Sequence, residues 1–244
     1  MAPLAQPKDP APPLAEDPAS TAGGLPSPAA SRYLEAVWYM EGEGEPVRPG
    51  RLAAWLGVSA PTVSVALQRL ARDGLVSLGP DRRVAFTDAG RRAAAVLVRR
   101  HRVVECWLTH DLGLDWAAAD AEADRLAFAL SETVLDRLYA RLGRPATCPH
   151  GNAIPGASAP DGDQLVSLAS LAAGRAGRVV RISEMAEHRA PEVLELLHRS
   201  GLVPGAAVAV AGPAPDPGVI SVEVGGADVT LARTTAAAVW VQPD

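Results

Sequence analysis

The segment Ser59-Ala-Pro-Thr-Val-Ser-Val-Ala-Leu-Gln-Arg-Leu-Ala-Arg-Asp-Gly74 decides how the rest of the chain is read. Ser59 is a good N-cap, and Pro61 falls where a missing N–H costs nothing. Val63, Ala66, Leu67 and Leu70 then repeat at helical spacing until Gly74, which predicts a helix with one apolar face. Immediately upstream, Arg51-Leu-Ala-Ala-Trp-Leu56 predicts a short helix stopped by Gly57, with Val58-Ser59 as the turn. This is the pattern of a helix-turn-helix, whose second helix enters the major groove of DNA and presents its N-terminal residues to base edges.

Working outward, Leu75-Val-Ser-Leu78 and Arg83-Val-Ala-Phe86 are short β-prone runs around the breakers Gly79-Pro80-Asp81-Arg82, which predicts a hairpin wing. Tyr33, Leu34, Val37, Trp38 and Met40 share a helical face, so a first helix runs from Ser31 to near Gly42. Residues 31–92 therefore read as a winged helix-turn-helix. Within it, Ser59, Thr62 and Ser64 are short and polar, suited to base edges. Pro61 and Val65 offer apolar surface for a thymine methyl, while Arg69, Arg72 and Arg82 at the wing tip lie where phosphates run.

Charge supports that reading. The 244-residue chain has a net charge of -5, yet residues 51–100 hold nine arginines against three aspartates, a local balance of +6. The remainder therefore carries -11. Basic charge confined to one motif-sized segment is the footprint of a part that meets phosphate, although a solvated helix face would also produce it.

Downstream, Thr87 or Asp88 caps a helix running through Arg100, His101 and Trp107 to Gly113, and a second helical stretch runs from Asp115 to Gly143. Two long amphipathic helices need a covering surface, and a second copy of the chain is the economical one. Residues 149–164 read as an irregular linker rich in Pro and Gly. After it come five β-rich runs, at 179–182, 207–210, 219–224, 229–231 and 238–241, with one helix around Pro191 to Arg199. Such short strands predict a small barrel over 165–244. Residues 1–30, rich in proline and without apolar periodicity, read as a disordered tail. The fold class is mainly α with a small β domain.

Two cysteines, Cys106 and Cys148, are too few for a disulfide framework, and nothing approaches the ~18 consecutive apolar residues of a membrane span. The expectation is a cytoplasmic protein with no membrane association. No Ser/His/Asp or Cys/His arrangement and no glycine-rich phosphate loop is apparent, so an enzyme is not expected.

Several strings together resemble the diphtheria toxin repressor family of iron- and manganese-dependent regulators. They are Ser59-Ala-Pro-Thr-Val-Ser64, Arg72-Asp-Gly-Leu-Val76, Thr87-Asp-Ala-Gly-Arg91, Arg100-His-Arg102, Glu122-Ala-Asp-Arg-Leu126, Leu130-Ser131 and Pro149-His-Gly-Asn-Ala-Ile-Pro155, spread over residues 31–242. The resemblance implies a winged helix-turn-helix domain, a helical dimerisation and metal-site domain over 93–148, and a C-terminal SH3-like barrel. It also implies a homodimeric repressor on a palindromic double-stranded DNA operator, switched by a divalent metal, Mn2+ or Fe2+.

The departures from the family pattern matter as much. Its ancillary metal site maps onto His101, Glu105 and Asp120; the first two lie one helical turn apart, and Asp120 is a competent hard ligand. Its primary site maps onto Arg32, Asp124, Ala127 and Phe128, of which only Asp124 can ligate. A metal is therefore expected at the ancillary site only, with Arg32 pairing with Asp124 in the primary one. From the barrel the resemblance aligns Arg189 and Glu192, and Glu192 is the candidate to reach the ancillary ion. Cys106 and His110, also one turn apart, point to a different face from His101, and Cys106 beside Trp107 reads as core and not as a ligand, while His150 reads as a turn residue. A metal-independent regulator of the same fold, or a peptide-binding module on a winged scaffold, remains open at this point.

Overall fold

The computed structural model describes residues 25–158, 165–188, 190–212 and 216–244. The first unit holds α1 (Pro28–Gly42), α2 (Pro49–Leu56), α3 (Ala60–Arg72) and an antiparallel hairpin of β1 (Val76–Leu78) and β2 (Val84–Phe86). Most of the expected tail lies outside the described residues, but residues 28–30 belong to α1. Ser27 caps that helix by accepting from the Ala30 N–H, and Pro28 opens it. Gly57, at φ +65, lets the chain reverse between α2 and α3. Leu34, Val37, Met40, Leu52, Val63, Leu67 and Val84 form the buried core beneath the two helices and the wing. The wing is tied down where the Val84 N–H donates to the Val47 carbonyl at 2.9 Å.

α4 (Asp88–His110) begins at Thr87, whose hydroxyl accepts from the Gly90 N–H and donates to the Gly74 carbonyl at 2.6 Å. One residue thus caps α4 and fastens it to the hairpin. Gly90 is required at this crossing: a Cβ there would lie 1.7 Å from the Leu75 carbonyl oxygen.

The single helical stretch expected over 115–143 is two helices, α5 (Trp116–Leu126) and α6 (Glu132–Arg141). Ser131 caps α6 by accepting from the Val134 N–H. Arg100 holds the break open, donating from Nε to the Ala127 carbonyl at 3.0 Å and through its other nitrogens to the Leu130 carbonyl and Glu132. The arginine satisfies carbonyls that a continuous helix would have paired internally.

The expected linker is also revised. Thr147 and Ala153 bridge as antiparallel partners, and Cys148, His150, Asn152 and Ile154 are all buried, so residues 147–154 pack as a folded loop against α4. Residues 159–164 lie outside the described ones.

The C-terminal unit is a six-stranded antiparallel sheet of the SH3-like kind. Its strands are β3 (Val166–Ser167), β4 (Ala176–Ile182), β5 (Ala207–Val210), β6 (Val219–Val224), β7 (Ala227–Ala232) and β8 (Val239–Pro243), in the order β3-β8-β4-β5-β6-β7. Helices α7 (Glu184–Glu187), α8 (Pro191–Arg199) and α9 (Arg233–Ala236) cross it. Its core takes in Trp116 from α5, stacked on His198 with ring centroids 4.8 Å apart. The first and last units also meet directly: Glu43, just past α1, accepts from Arg181 at 2.6 Å and from the Glu184 N–H at 3.0 Å. No helix among the described residues is long and apolar enough to cross a membrane.

Candidate metal centre and nucleic-acid interface

On α3 the outward stripe is Pro61, Thr62, Ser64, Val65, Gln68, Arg69 and Arg72, all exposed. The hydroxyls expected to face bases are largely engaged within the helix end itself. Ser59 Oγ lies 2.8 Å from Thr62 Oγ1 and accepts from the Thr62 N–H, and Ser64 donates to the Ala60 carbonyl at 3.0 Å. Val65, 68% exposed, is the most exposed large hydrophobic residue among those described. Arg69 and Arg72 occupy the last turn, with Arg69 only 3.9 Å from Asp73. Arg82 stands exposed at the wing tip at φ +60.

Behind this unit, α4 carries His101 and Glu105 on one buried face, and α5 brings Asp120 to them. One ligand atom from each lies within 4.8 Å of the others. His101 Nε2 is 3.2 Å from Asp120 Oδ1. These two atoms and both Glu105 carboxylate oxygens are fully buried without a well-angled hydrogen bond. Polar groups in that condition cost free energy unless something else satisfies them, and three convergent N and O donors are what a divalent cation of the manganese or iron type requires. The residues present fit such an ion.

Asp124, expected as a ligand, contacts the other ring nitrogen, Nδ1 of His101, at 3.2 Å and stands outside the converging group. Burial by itself would lower the His101 pKa, but Asp120 and Asp124 outweigh it and raise it well above the usual histidine value. Burial would likewise raise Asp120, but its imidazole neighbours His101 and His188 hold it far below the usual carboxylate range. Glu192, the expected contribution from the barrel, is exposed in the first turn of α8 and joins no ligand group. Arg189 lies outside the described residues.

Arg32 does not pair with Asp124: it is exposed, and His101 takes that carboxylate. Arg32, Asp124, Ala127 and Phe128 instead line a cavity of about 460 Å³ together with Glu35 and Tyr39. Burial raises the carboxyl of Glu35, with the charge of His101 opposing it. Glu35 lies one turn beyond Arg32 on α1, and that spacing is the signal by which it could have been found.

A second group was not expected. Glu105 also converges with Cys148 and His150, again within 4.8 Å and all buried. His150 Nδ1 is 2.8 Å from Glu105 Oε1, and Cys148 Sγ is 3.9 Å from the same nitrogen. The signal was the Cys-Pro-His spacing, masked by the glycine and prolines around it. Cys106 is core as expected; burial pushes its thiol up, and it donates to the Thr147 carbonyl.

Comparison with known proteins agrees with this architecture. The family described as iron dependent repressor, N-terminal DNA binding domain, matches residues 27–84. Iron dependent repressor, metal binding and dimerisation domain, matches 87–156, and the FeoA domain matches 166–243. The iron-dependent repressor IdeR of Mycobacterium tuberculosis is 36% identical over 220 residues, covering 86% of this chain and 95% of that protein. The diphtheria toxin repressor of Corynebacterium diphtheriae is 39% identical over 124 residues. Among solved structures, a manganese-dependent transcriptional repressor in complex with manganese is 35% identical, with a TM-score of 0.77 over 88% of this chain and all of that one. ScaR with bound Cd2+ is 26% identical, with a TM-score of 0.71 over 87% of this chain and 98% of its own. The three-part fold with buried His, Glu and Asp donors behind a winged helix defines a metal-responsive DNA-binding regulator. The chain belongs to the iron-dependent repressor family.

Proposed function

We propose that the protein is a cytoplasmic, homodimeric transcription repressor, not an enzyme, that reads a palindromic operator through two copies of α3 and is controlled by a divalent cation. Ser59, Pro61, Thr62, Ser64 and Val65 face the bases, and Arg69, Arg72 and Arg82 face phosphates. The apolar residues Leu112 and Val134, exposed beyond α4 and on α6, belong to the surface that the second copy covers.

The observation that carries metal control is the convergence of His101, Glu105 and Asp120 as buried, hydrogen-bond-poor donors. These three hold Mn2+ or Fe2+, with Asp124 orienting His101 from the far side of its ring. Once bound, the ion supplies positive charge that cross-links α4 to α5 behind the winged unit. Glu105 is shared with Cys148 and His150, whose softer thiolate and imidazole donors suit a second cation next to the first. The primary position lined by Ala127 and Phe128 holds no regulatory ion, because neither side chain can donate to one. On this reading metal control runs through His101, Glu105 and Asp120.

The test is an operator-fragment binding titration with Mn2+, with Fe2+ and with chelator. A metal-dependent, salt-sensitive shift is expected. Equal affinity in all three conditions removes metal control, and no sequence-specific binding removes the repressor reading.

A further inference from the structure

We infer that Gln68 on α3 reads an adenine in the operator, its amide Nε2–H donating to adenine N7 and its Oε1 accepting from the N6 amino group. The inference rests on the proposal that α3 lies in the major groove. It names the side chain that supplies hydrogen-bonded base recognition there.

Helix geometry puts Gln68 where a base reader must stand. Pro61, Ser64, Val65 and Gln68 follow the spacing i, i+3, i+4, i+7, which at 3.6 residues per turn leaves Gln68 roughly 20° from the direction of Pro61 and between Ser64 and Val65. All four are exposed, while Val63, Leu67 and Leu70 are buried on the other side of the helix. Recognition helices of homeodomains meet base edges through this same spacing.

The other members of that face cannot display a donor beside an acceptor. Pro61 and Val65 have no polar side-chain atom, and the Ser64 hydroxyl gives its proton to the Ala60 carbonyl at 3.0 Å. Ser59 and Thr62, at the edge of the face, are bonded to each other at 2.8 Å. Among the described residues nothing bonds the Gln68 amide, so both halves of it are open to a ligand.

The chemistry of the amide selects the base. A carboxamide offers one donor and one acceptor side by side, and adenine is the base whose major-groove edge carries the complementary pair, the N7 acceptor and the N6 donor. Guanine shows two acceptors there, thymine an acceptor and a methyl group, and cytosine a donor alone. Gln68 stands about 4.5 Å beyond Val65 along the helix axis, against roughly 3.4 Å between base pairs, so it meets a pair adjacent to the one Val65 touches. Val65 beside it excludes water from the contact, and a wrong base then leaves the amide with an unmet group that water cannot satisfy.

Selection from a random duplex pool by the full-length protein with Mn2+, followed by fluorescence anisotropy on the selected duplex, tests this. The wild type is compared with Gln68→Ala, a change at an exposed helical position, after an unchanged far-ultraviolet spectrum has been verified. The wild type is expected to select adenine at one position of each half-site, and 7-deazaadenine at that position, which lacks the N7 acceptor, to weaken binding about threefold or more. Gln68→Ala should bind the selected site about tenfold more weakly, accept every base pair at that position alike, and keep the rest of the site. Indifference of the wild type to 7-deazaadenine at every adenine, or an unchanged selected site for Gln68→Ala, overturns the inference. If the wild type selects no sequence at all, the reading of α3 as the operator helix fails, and the inference falls with it for that separate reason.

Discussion

Arg102 on α4 and Glu184 at the start of α7 form an ion pair buried on both sides, and Arg102 also donates to the Ala153 carbonyl. This pair crosses from the helical unit to the C-terminal one, in a place where neither charge can be rehydrated without separating the domains. Removing one partner takes from the other its buried ion pair: Arg102→Met is expected to cost about 3–5 kcal/mol in chemical denaturation. The double variant Arg102→Met/Glu184→Met is expected to recover most of that loss. A double variant no more stable than the single one would show that the pair is not what holds this junction.

Gly90 should be intolerant for a steric reason. Its substitution by alanine drives a Cβ into the Leu75 carbonyl, so Gly90→Ala is expected to lower stability by at least about 2 kcal/mol. Gly42, with open space around it, is the control: Gly42→Ala should be neutral or slightly stabilising. Thermal unfolding of the two variants side by side checks this, and equal melting temperatures would contradict it.

Because the hydroxyls of Ser59, Thr62 and Ser64 are engaged at their own helix end, the reading face of α3 is more apolar than its composition suggests. Val65 is expected to recognise a thymine methyl. Replacing operator thymines by deoxyuridine, one position at a time, should weaken binding about fourfold at the contacted position, from the ~0.8 kcal/mol of one buried methyl. Val65→Ala should erase the difference. Indifference of the wild type to every deoxyuridine would refute the contact.

The arginines should act differently from Val65. Arg69→Ala and Arg82→Ala are expected to weaken all sequences alike and to reduce the slope of log affinity against log salt by about 0.9 for each lost phosphate contact. Fluorescence anisotropy on specific and scrambled duplexes separates the two behaviours. A selective loss on the operator alone would assign these side chains to bases instead.

Ala127 and Phe128 border the cavity that Glu35 and Asp124 also line, so an ion has room beside these two positions, which themselves offer no donor. The double variant Ala127→Glu/Phe128→His should therefore gain an Mn2+ site by calorimetry, at least one more ion per subunit than the wild type. Unchanged stoichiometry would show that the cavity is shaped for something else.

Much of this architecture was legible where local pattern and tertiary demand coincide. Ser59 and Thr87 cap the helices they were expected to cap, and the β-prone runs at 207–210 and 219–224 became strands at those positions. The i, i+4 spacing of His101 and Glu105 placed them together because a helix does so by its own geometry. The break before Ser131 is hard to read because Leu126, Leu130 and Val134 keep helical spacing straight across it; the Ser131 cap was the local signal, and the carbonyl bonds from Arg100, far along the chain, support it. His150 reads from sequence as a turn residue because its burial, with that of Cys148, comes from α4, which no local window contains. His188 was hidden for the same reason, since the groups it meets, Tyr39 and Asp120, are both far from it along the chain.

Arg100 ties the Ala127–Glu132 segment with three donors that belong to the polypeptide itself. A guanidinium cannot be scavenged, and it stays protonated across the whole biological range. Famine or plenty of trace elements leaves that corner in place. Sensitivity to those elements belongs instead to the donors that converge between α4 and α5, a short way along the same helix from Arg100.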